Sequence, residues 1–456
     1  QAEDGIRDVE RSRGLGDVYK RQIIDKPMWS GGIPGWCDNY AHAQKIWFTS
    51  NYLRQYWRIP AWDPNGGCGY PIYQFYPPFS YLIASFLAIL FDRIDIGYIL
   101  AFEGASFLGG IFTYIYVRRI VKNRLAAFTA AVYFALNPFF YGYWVWLGAF
   151  PNGFGSMIFI PLAYLCFEGM WKGGWKQPKQ LVTLSIILAL AVLTHVFVFL
   201  MICYSLFFFW LCRTILIKSE RNMNCISVLF KLLLSVLLAS GLSAVWLLPA
   251  YVMKYRMISW EYTGMWWEHM KPENILPSVG LYHMLFALTS LIFIIKREQI
   301  HQPYLAVLTL FILWSLGHNS PYTWWFFSNL PLAGDINPRR YVIMVEFLLS
   351  IVVGINFALI VDAFKIKADK LRWKIILITI SLLFIFLLPL IVESPTHAKV
   401  GYPNNELPSD YIEICQNLRS YPYSRVIGHV YSPAWHGKPV LRSSSFESSQ
   451  IPWFII

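Results

Sequence analysis

The chain has 456 residues, of which 56% are hydrophobic and 14% are charged, and its formal net charge is +12. A soluble domain of ordinary composition carries about a quarter charged residues, so the composition excludes a typical soluble protein and predicts an integral membrane protein. The basic excess then indicates membrane topology rather than nucleic-acid binding, because Lys and Arg collect in short cytoplasmic loops.

The first 22 residues look like the in-frame translation of a sequencing adapter. We therefore exclude residues 1–22 from the fold prediction. Native sequence is expected from about Ile23, with one membrane helix lost upstream. Acidic and basic side chains are balanced in this segment, so the net charge of the remainder is unchanged.

Residues 23–94 are interpreted as a first extracytoplasmic loop, whose polar and aromatic part runs from Trp36 to Pro78. Asp38 and His42 are four residues apart at the start of a predicted helix that extends to about Tyr56, so they share one helical face. Asp38 is a candidate general base or ligand of a divalent cation. An N-cap role for Asp38 is the alternative.

Two further motifs lie in the same loop. Asp63 sits in a Trp-Asp-Pro-Asn-Gly-Gly sequence, which is a turn signature, so an Asx-type turn competes with a binding role. Tyr76-Pro77-Pro78 is typical of a helix start. Cys37 and Cys68 would be outside the cytoplasm, where a disulfide between them is permitted.

Apolar segments predict a membrane bundle over residues 95–392, because about 20 apolar residues cross the hydrocarbon. The predicted spans are 95–117, 125–145, 153–170, 181–194, 196–212, 226–249, 279–295, 303–317, 341–361 and 374–392. The segment 181–212 is too long for one crossing, so we interpret it as a hairpin with Thr194-His195 at its apex.

Loop charges support this hairpin. With two crossings in 181–212, seventeen Lys and Arg residues fall on one side of the bundle and five on the other, which makes the richer side cytoplasmic. The same rule places the Trp36–Pro78 loop outside the cytoplasm if residues 76–92 form an interfacial or re-entrant helix. We favour that interpretation over a full crossing of 76–92.

Three more candidates fall on the predicted outer side. His195 is an ionisable group at membrane depth, where a functional role competes with a satisfied histidine in a turn. Asn152 lies in a Phe-Pro-Asn-Gly turn that could offer an amide to a site. Arg339 and Arg340 precede a span and invite a phosphate, or else contact lipid headgroups.

Residues 393–456 contain many prolines among polar and aromatic residues, and predict a small extracytoplasmic α/β domain that is incomplete. The sequence lacks a P-loop, a dinucleotide fingerprint and a zinc-protease motif.

These motifs resemble the C-type glycosyltransferase (GT-C) superfamily. The Gly66–Pro78 stretch, the Leu-Thr-His turn at 193–195 and Pro338-Arg339-Arg340 are similar to a membrane protein group named for a "6-pyruvoyl-tetrahydropterin synthase-related domain". That name does not predict pterin chemistry here, because no three-histidine zinc constellation is found in the sequence.

The resemblance implies an all-α, polytopic, GT-C-like bundle in the plasma or inner membrane. It also implies an inverting sugar transfer from a polyprenyl-phosphate donor to a glycan, lipid or protein acceptor on the outer face.

By the same resemblance, Asp38 matches the acidic residue of the first external loop and would act as a base or metal ligand. Asn152 stands where many relatives have an acidic residue, which leaves metal dependence open. Candidate substrate-binding residues are His42, Asp63, Tyr76, Asn152, His195, Arg339 and Arg340. The alternative is a non-catalytic transporter, flippase or assembly component that binds lipid-linked glycan in envelope biogenesis.

Overall fold

The computed structural model describes residues 39–64, 70–74, 76–137, 149–173, 178–217, 225–253, 302–317, 321–333, 336 and 338–366. Several predictions lie outside these ranges: the adapter segment, Asp38, the Cys37–Cys68 disulfide, the spans 279–295 and 374–392, and the C-terminal domain. The division of the chain into domains stays a prediction.

The described part is almost entirely helical. Its helices are α1 (Asn39–Tyr56), α2 (Phe79–Phe91), α3 (Ile94–Val121), α4 (Arg124–Ala135), α5 (Phe150–Gly173), α6 (Pro178–Thr194), α7 (Val196–Leu216), α8 (Cys225–Leu242), α9 (Ala244–Val252), α10 (Gln302–Ser315), α11 (Pro321–Ser328) and α12 (Val342–Ile366), with a 3₁₀ turn over Pro338–Tyr341.

Five of these helices, α3, α5, α7, α8 and the Val342–Leu359 part of α12, are long and apolar enough to cross a membrane. Four shorter apolar helices, α2, α4, α6 and α10, accompany them. Within the described ranges the only β pairing is an isolated bridge between Asp63 and Tyr70. The prediction of an all-α, polytopic membrane protein is confirmed.

Contacts along α5 give the directions of its neighbours. Tyr98 stacks on Phe150 near the starts of α3 and α5, and Tyr116 packs edge-on against Tyr164 further along, so these two helices run in the same direction. Helix α6 runs back, because Gln180 near its start approaches Gly169 of α5, whereas Thr194 at its end approaches Gly155.

Helix α7 then reverses again. Val198 lies beside the same Gly155, and Arg213 pairs with Glu168 at the far end of α5, with 2.5 Å between Nη1 and Oε2. The hairpin predicted at Thr194-His195 is therefore confirmed, and its apex lies next to the first turns of α5.

The bundle thus has two distinct ends. We call the end with the starts of α3, α5 and α7 the site end, and the opposite end the basic end. The basic end holds a group of contacting charged residues. The Lys172 ammonium contacts the Arg119 carbonyl oxygen, and both Lys172 and Arg213 pair with Glu168. Helix α10 runs from one end of the bundle to the other. Towards the basic end, its Tyr304 hydroxyl lies 2.6 Å from the Tyr116 hydroxyl, and towards the site end its Trp314 ring stacks on Tyr341.

Two predicted spans differ from the observed helices. Helix α4 ends at Ala135 rather than continuing to residue 145; Pro138 follows closely, and proline cannot sit in a helix interior without removing a hydrogen bond and clashing. The span 226–249 is divided between α8 and α9 at Ser243, whose hydroxyl and backbone N–H both donate to the Ala239 carbonyl.

Close backbone contact holds α12 on α4. A Cβ added at Gly354 would collide with the Ala126 carbonyl oxygen and lie 2.8 Å from the Ala130 Cβ. Small residues let membrane helices approach closely where the hydrophobic effect does not drive their association. The Gly354 contact therefore fixes the spacing of these two helices.

We expect Gly354→Ala to lower the free energy of unfolding by about 1–3 kcal/mol, since the added methyl must displace backbone. Gly104→Ala is the matched control: its Cβ would meet nothing within 4 Å, so stability should be equal or higher. SDS-induced unfolding of both purified variants in mixed micelles measures the difference. Equal stability of the two variants would contradict the close contact.

Candidate functional site

His42 is buried on the first turns of α1, where helix α2 holds it in place. Its Nδ1 lies 2.6 Å from the Tyr81 hydroxyl, and its ring centroid is 6.0 Å from that of Phe150. Nearby, the Tyr98 hydroxyl donates to the Asn39 side-chain oxygen over 2.6 Å, which ties the first residue of α1 to α3. The start of α1 is therefore fixed against α2, α3 and α5.

Tyr76, just before α2, connects His42 to the hairpin apex. Its ring centroid lies 6.2 Å from that of His42 and 5.8 Å from that of His195, with the His195 ring edge-on. The Lys45 ammonium lies 4.2 Å from the same Tyr76 ring centroid. The short Tyr-Pro-Pro segment thus contributes the ring around which two histidines and a lysine meet.

His195 interrupts the α6–α7 hairpin because its backbone is extended, with φ −165° and ψ 120°. Its Nδ1 accepts a hydrogen bond from the Phe197 N–H over 3.2 Å and so caps α7. In a neutral imidazole this bond leaves the proton on Nε2. The residue is both a structural cap and a member of the site.

Arg340 reaches the same region from the start of α12. Its guanidinium carbon lies 5.8 Å from the Phe197 ring centroid, and Phe197 in turn lies 6.3 Å from His195. A continuous series of contacts therefore runs His42–Tyr76–His195–Phe197–Arg340, which we call the contact series. Arg339 belongs to the same 3₁₀ turn as Arg340.

Asn152 lies in the first turn of α5, buried at 2% exposure. Its side-chain oxygen accepts a 3.4 Å bond from Ser156, but its amide nitrogen Nδ2 has no hydrogen-bond partner among the residues that the structure describes. A buried donor without a partner is costly in a folded protein. The Nδ2 group is thus available to a bound ligand.

Asp63 is fully buried and supports the loop. Its backbone pairs with Tyr70, and its carboxylate accepts a 3.5 Å bond from Gln44 of α1.

Burial raises the pKa of the nearby Tyr73, the hydrogen bond with Thr49 lowers it, and the Asp63 charge raises it. Tyr73 therefore stays neutral at physiological pH, and its carbonyl accepts a bond from Trp246 of α9.

Four predicted site residues, His42, Tyr76, His195 and Arg340, thus lie along one series, and all stay candidates for binding. Three others had not been predicted: Lys45, Tyr81 and Glu346. Lys45 follows His42 by three residues, a spacing that places both on one helical face. Glu346 is the only acidic residue within the predicted span 341–361, which is a signal of function in a membrane helix.

Glu346 is buried on α12 towards the site end. Its Oε2 accepts hydrogen bonds from the Asn137 amide at 2.6 Å and the Tyr133 hydroxyl at 3.1 Å. Its Oε1 has no hydrogen-bond partner in the described part of the chain. Within the described ranges no three His, Cys, Asp or Glu side chains lie close enough together to hold a metal ion.

A family of membrane proteins described as "6-pyruvoyl-tetrahydropterin synthase related domain" matches residues 73–399, which is more than half of the chain. The chain belongs to this family. The family description specifies a membrane protein, in agreement with the apolar helices. No curated protein matches the chain.

Solved structures give the fold. AglB, an oligosaccharyltransferase from Archaeoglobus fulgidus in complex with an inhibitory peptide and a dolichol-phosphate, has a TM-score of 0.59 at 12% identity, over 94% of this chain and 63% of that chain. The chain therefore spans less than two thirds of AglB.

ArnT from Cupriavidus metallidurans has a TM-score of 0.54 at 12% identity, over 96% of this chain and 86% of that chain. Its structure bound to undecaprenyl phosphate has a TM-score of 0.50 at 13% identity, with 94% and 86% covered. At these identities the similarity shows the fold alone, which is GT-C-like, and confirms that part of the prediction.

The His42–Tyr81 bond gives a test of the site's rigidity. We expect Tyr81→Phe to lower the free energy of unfolding by about 1–3 kcal/mol, because the buried imidazole nitrogen loses its partner. Tyr322→Phe removes a hydroxyl from a residue that is 90% exposed and should change nothing. SDS-induced unfolding compares them, and an unchanged Tyr81→Phe variant would contradict a stabilising role for this bond.

Proposed function

We propose that the protein is a membrane glycosyltransferase of GT-C type, which transfers a sugar from a polyprenyl-phosphate donor on the extracytoplasmic face. The observation that carries the proposal is the contact series His42–Tyr76–His195–Phe197–Arg340. It brings the first loop, the hairpin apex and the start of α12 together at one end of a GT-C bundle.

The distribution of charge supports the proposed side of the membrane. Arg118, Arg119, Lys172 and Arg213 belong to the basic end, and basic loops are cytoplasmic by the positive-inside rule. The contact series lies at the opposite end, which supports an extracytoplasmic site. Helix α2 supports this too: Phe79, at its start, packs on Phe154 and Phe159 in the first half of α5, which fits a re-entrant helix.

In the proposed reaction the acceptor oxygen attacks the anomeric carbon of the donor sugar. The bond from that carbon to the phosphate oxygen breaks, and polyprenyl phosphate leaves with the bonding electrons. Asp38, which precedes Asn39 at the start of α1, takes the acceptor proton as general base. Arg339 and Arg340 hold the phosphate, since guanidinium groups match phosphate oxygens in charge and geometry.

The neighbours support the choice of donor. AglB was solved in complex with a dolichol-phosphate and ArnT with undecaprenyl phosphate, both of which are polyprenyl-type phosphates.

A divalent cation at Asp38 stays a proposal. Asn152 offers an amide where many GT-C relatives have a carboxylate, and the His42 Nδ1 is already bonded to Tyr81.

The second candidate function is transport or flipping of a lipid-linked glycan. Glu346 favours it, since a buried carboxylate in a membrane helix is typical of transport pathways. The same site would then bind the lipid-linked glycan but transfer nothing.

Asp38→Asn separates the two functions. For an enzyme we expect sugar transfer to fall by about 100-fold or more, because the general base is lost, while folding and lipid binding are retained. The assay follows label from polyprenyl-phosphate sugars into membrane acceptors, using protein in vesicles. Asp92→Asn is the matched control, since Asp92 is 83% exposed and pairs with Arg54 at a helix turn.

Full transfer activity in the Asp38→Asn variant would refute the general-base role. Absence of transfer by wild type with every donor tested, together with movement of the lipid between leaflets, would instead favour the transport candidate.

A further inference from the structure

We propose that Glu346 is a proton-binding residue inside the membrane, where it is a neutral carboxylic acid that joins α12 to the interrupted end of α4. The inference goes beyond the proposed function, whose reaction does not use Glu346. The ligand is a proton, and the role of the neutral group is to position the start of α12 relative to α4.

The location of Glu346 is the first argument. The Val342–Leu359 part of α12 has the length and apolarity of a membrane span, and Glu346 is its only acidic or basic residue. Glu346 is 1% exposed. The next residue, Phe347, packs on Phe134 of α4 and on Tyr164 of α5, well inside the bundle. The carboxyl group is therefore shielded from water.

The hydrogen bonds of the carboxyl group are the second argument. The Asn137 amide, at 2.6 Å, and the Tyr133 hydroxyl, at 3.1 Å, both donate to Oε2, whereas Oε1 has no hydrogen-bond partner among the described residues. An ionised carboxylate has two acceptor oxygens that share the charge, whereas a carboxylic acid has one carbonyl oxygen and one hydroxyl. The pattern fits the acid, with Oε2 as the carbonyl oxygen and the proton on Oε1.

The absence of a counter-ion is the third argument. Helix α12 packs against α4, α5, α10 and the 3₁₀ turn. The described cationic side chains of these elements lie elsewhere: Arg124 begins α4, Lys172 lies at the basic end, and Arg340 belongs to the contact series. None of the described residues forms an ion pair with Glu346. An unpaired buried carboxylate costs far more than a neutral acid with one unbonded hydroxyl.

The end of α4 explains what the neutral group does. Helix α4 ends at Ala135, and a helix interrupted inside a membrane leaves backbone groups that the protein must bond. The Ser106 hydroxyl of α3 donates to the Ala135 carbonyl oxygen over 2.6 Å, and Glu346 bonds side chains on both sides of the interruption, Tyr133 and Asn137. The acid thus fixes the end of α4 to a helix that starts at the site end.

Infrared spectroscopy tests the proton directly. We expect the difference spectrum between wild type and Glu346→Gln, in lipid vesicles at neutral pH, to contain the carbonyl band of a protonated carboxylic acid. Asp92→Asn is the matched control: Asp92 is 83% exposed and pairs with Arg54, so its difference spectrum should contain carboxylate bands only. Loss of carboxylate bands in Glu346→Gln would show that Glu346 is charged and would overturn the proposal.

A second measurement does not depend on a variant that folds. Wild type labelled with ¹³C-glutamate should show a protonated-carboxyl band that the label shifts. Wild type without such a shifted band would overturn the proposal.

Rescue by a neutral acceptor tests the positioning role. Glu346→Gln keeps a carbonyl oxygen that accepts hydrogen bonds and should unfold in SDS as wild type does. Glu346→Leu has a similar volume but no acceptor, and we expect its unfolding equilibrium constant to rise about 10-fold. Ser350→Ala is the matched control, because the buried Ser350 hydroxyl donates to the Phe347 carbonyl within α12 itself. Equal destabilisation of Glu346→Gln and Glu346→Leu would contradict the role.

The transfer assay checks that the proton is held and not exchanged. Glu346→Gln cannot bind or release a proton at this position, so sugar transfer by a folded Glu346→Gln at the wild-type rate would support a fixed, neutral role. A folded Glu346→Gln that loses sugar transfer, or loses movement of lipid between leaflets, would show that Glu346 exchanges its proton and would overturn the positioning role. The infrared result does not depend on which of the two functions the protein has.

Discussion

The structure depends on one constraint: inside a membrane, backbone N–H and C=O groups must be bonded within the protein, so polar chemistry concentrates where helices begin and end. The site follows this rule. His195 caps α7, Asn152 lies in the first turn of α5, Tyr76 precedes α2, and Arg340 precedes α12. Each side chain is held by a helix terminus that points to the same end of the bundle. The rigid helices behind these termini then fix the distances between them.

The opposite end is built differently, and its charged side chains hold helices together. Glu168 accepts from both Lys172 and Arg213, and the Arg213 guanidinium also lies 4.5 Å from the Trp171 ring centroid. Removing one partner of such a buried pair typically costs about 3–5 kcal/mol, because the other charge is left uncompensated. This cluster connects α5 to α7 at the basic end. It therefore also fixes the position of the hairpin apex at His195, at the other end of α7. The basic end thus stabilises the geometry on which the site end relies.

The sequence predicted the helices well because membrane crossing leaves a strong apolar signal. It located the break at His195 through charge counting. It selected His42 by its spacing from Asp38, and Tyr76 and Arg340 by their positions before helices. It missed the end of α4 at Ala135 and the break at Ser243, since apolar residues continue across both. It also missed Lys45 and Tyr81, because their importance arises from the packing of α1 on α2, which no local pattern encodes.

The charge distribution contains a conflict that the proposed function resolves. In the proposed topology Arg339 and Arg340 lie at the extracytoplasmic end, where basic residues oppose the positive-inside tendency. Helix α12 is held on α4 by the Glu346–Tyr133 bond and the Gly354 contact, and Arg340 takes part in neither. A cation retained where topology disfavours it matches the anionic lipid of the proposed function. A lipid phosphate would reach the site from the membrane with its apolar chain still in the bilayer, which suits both the charge and the location.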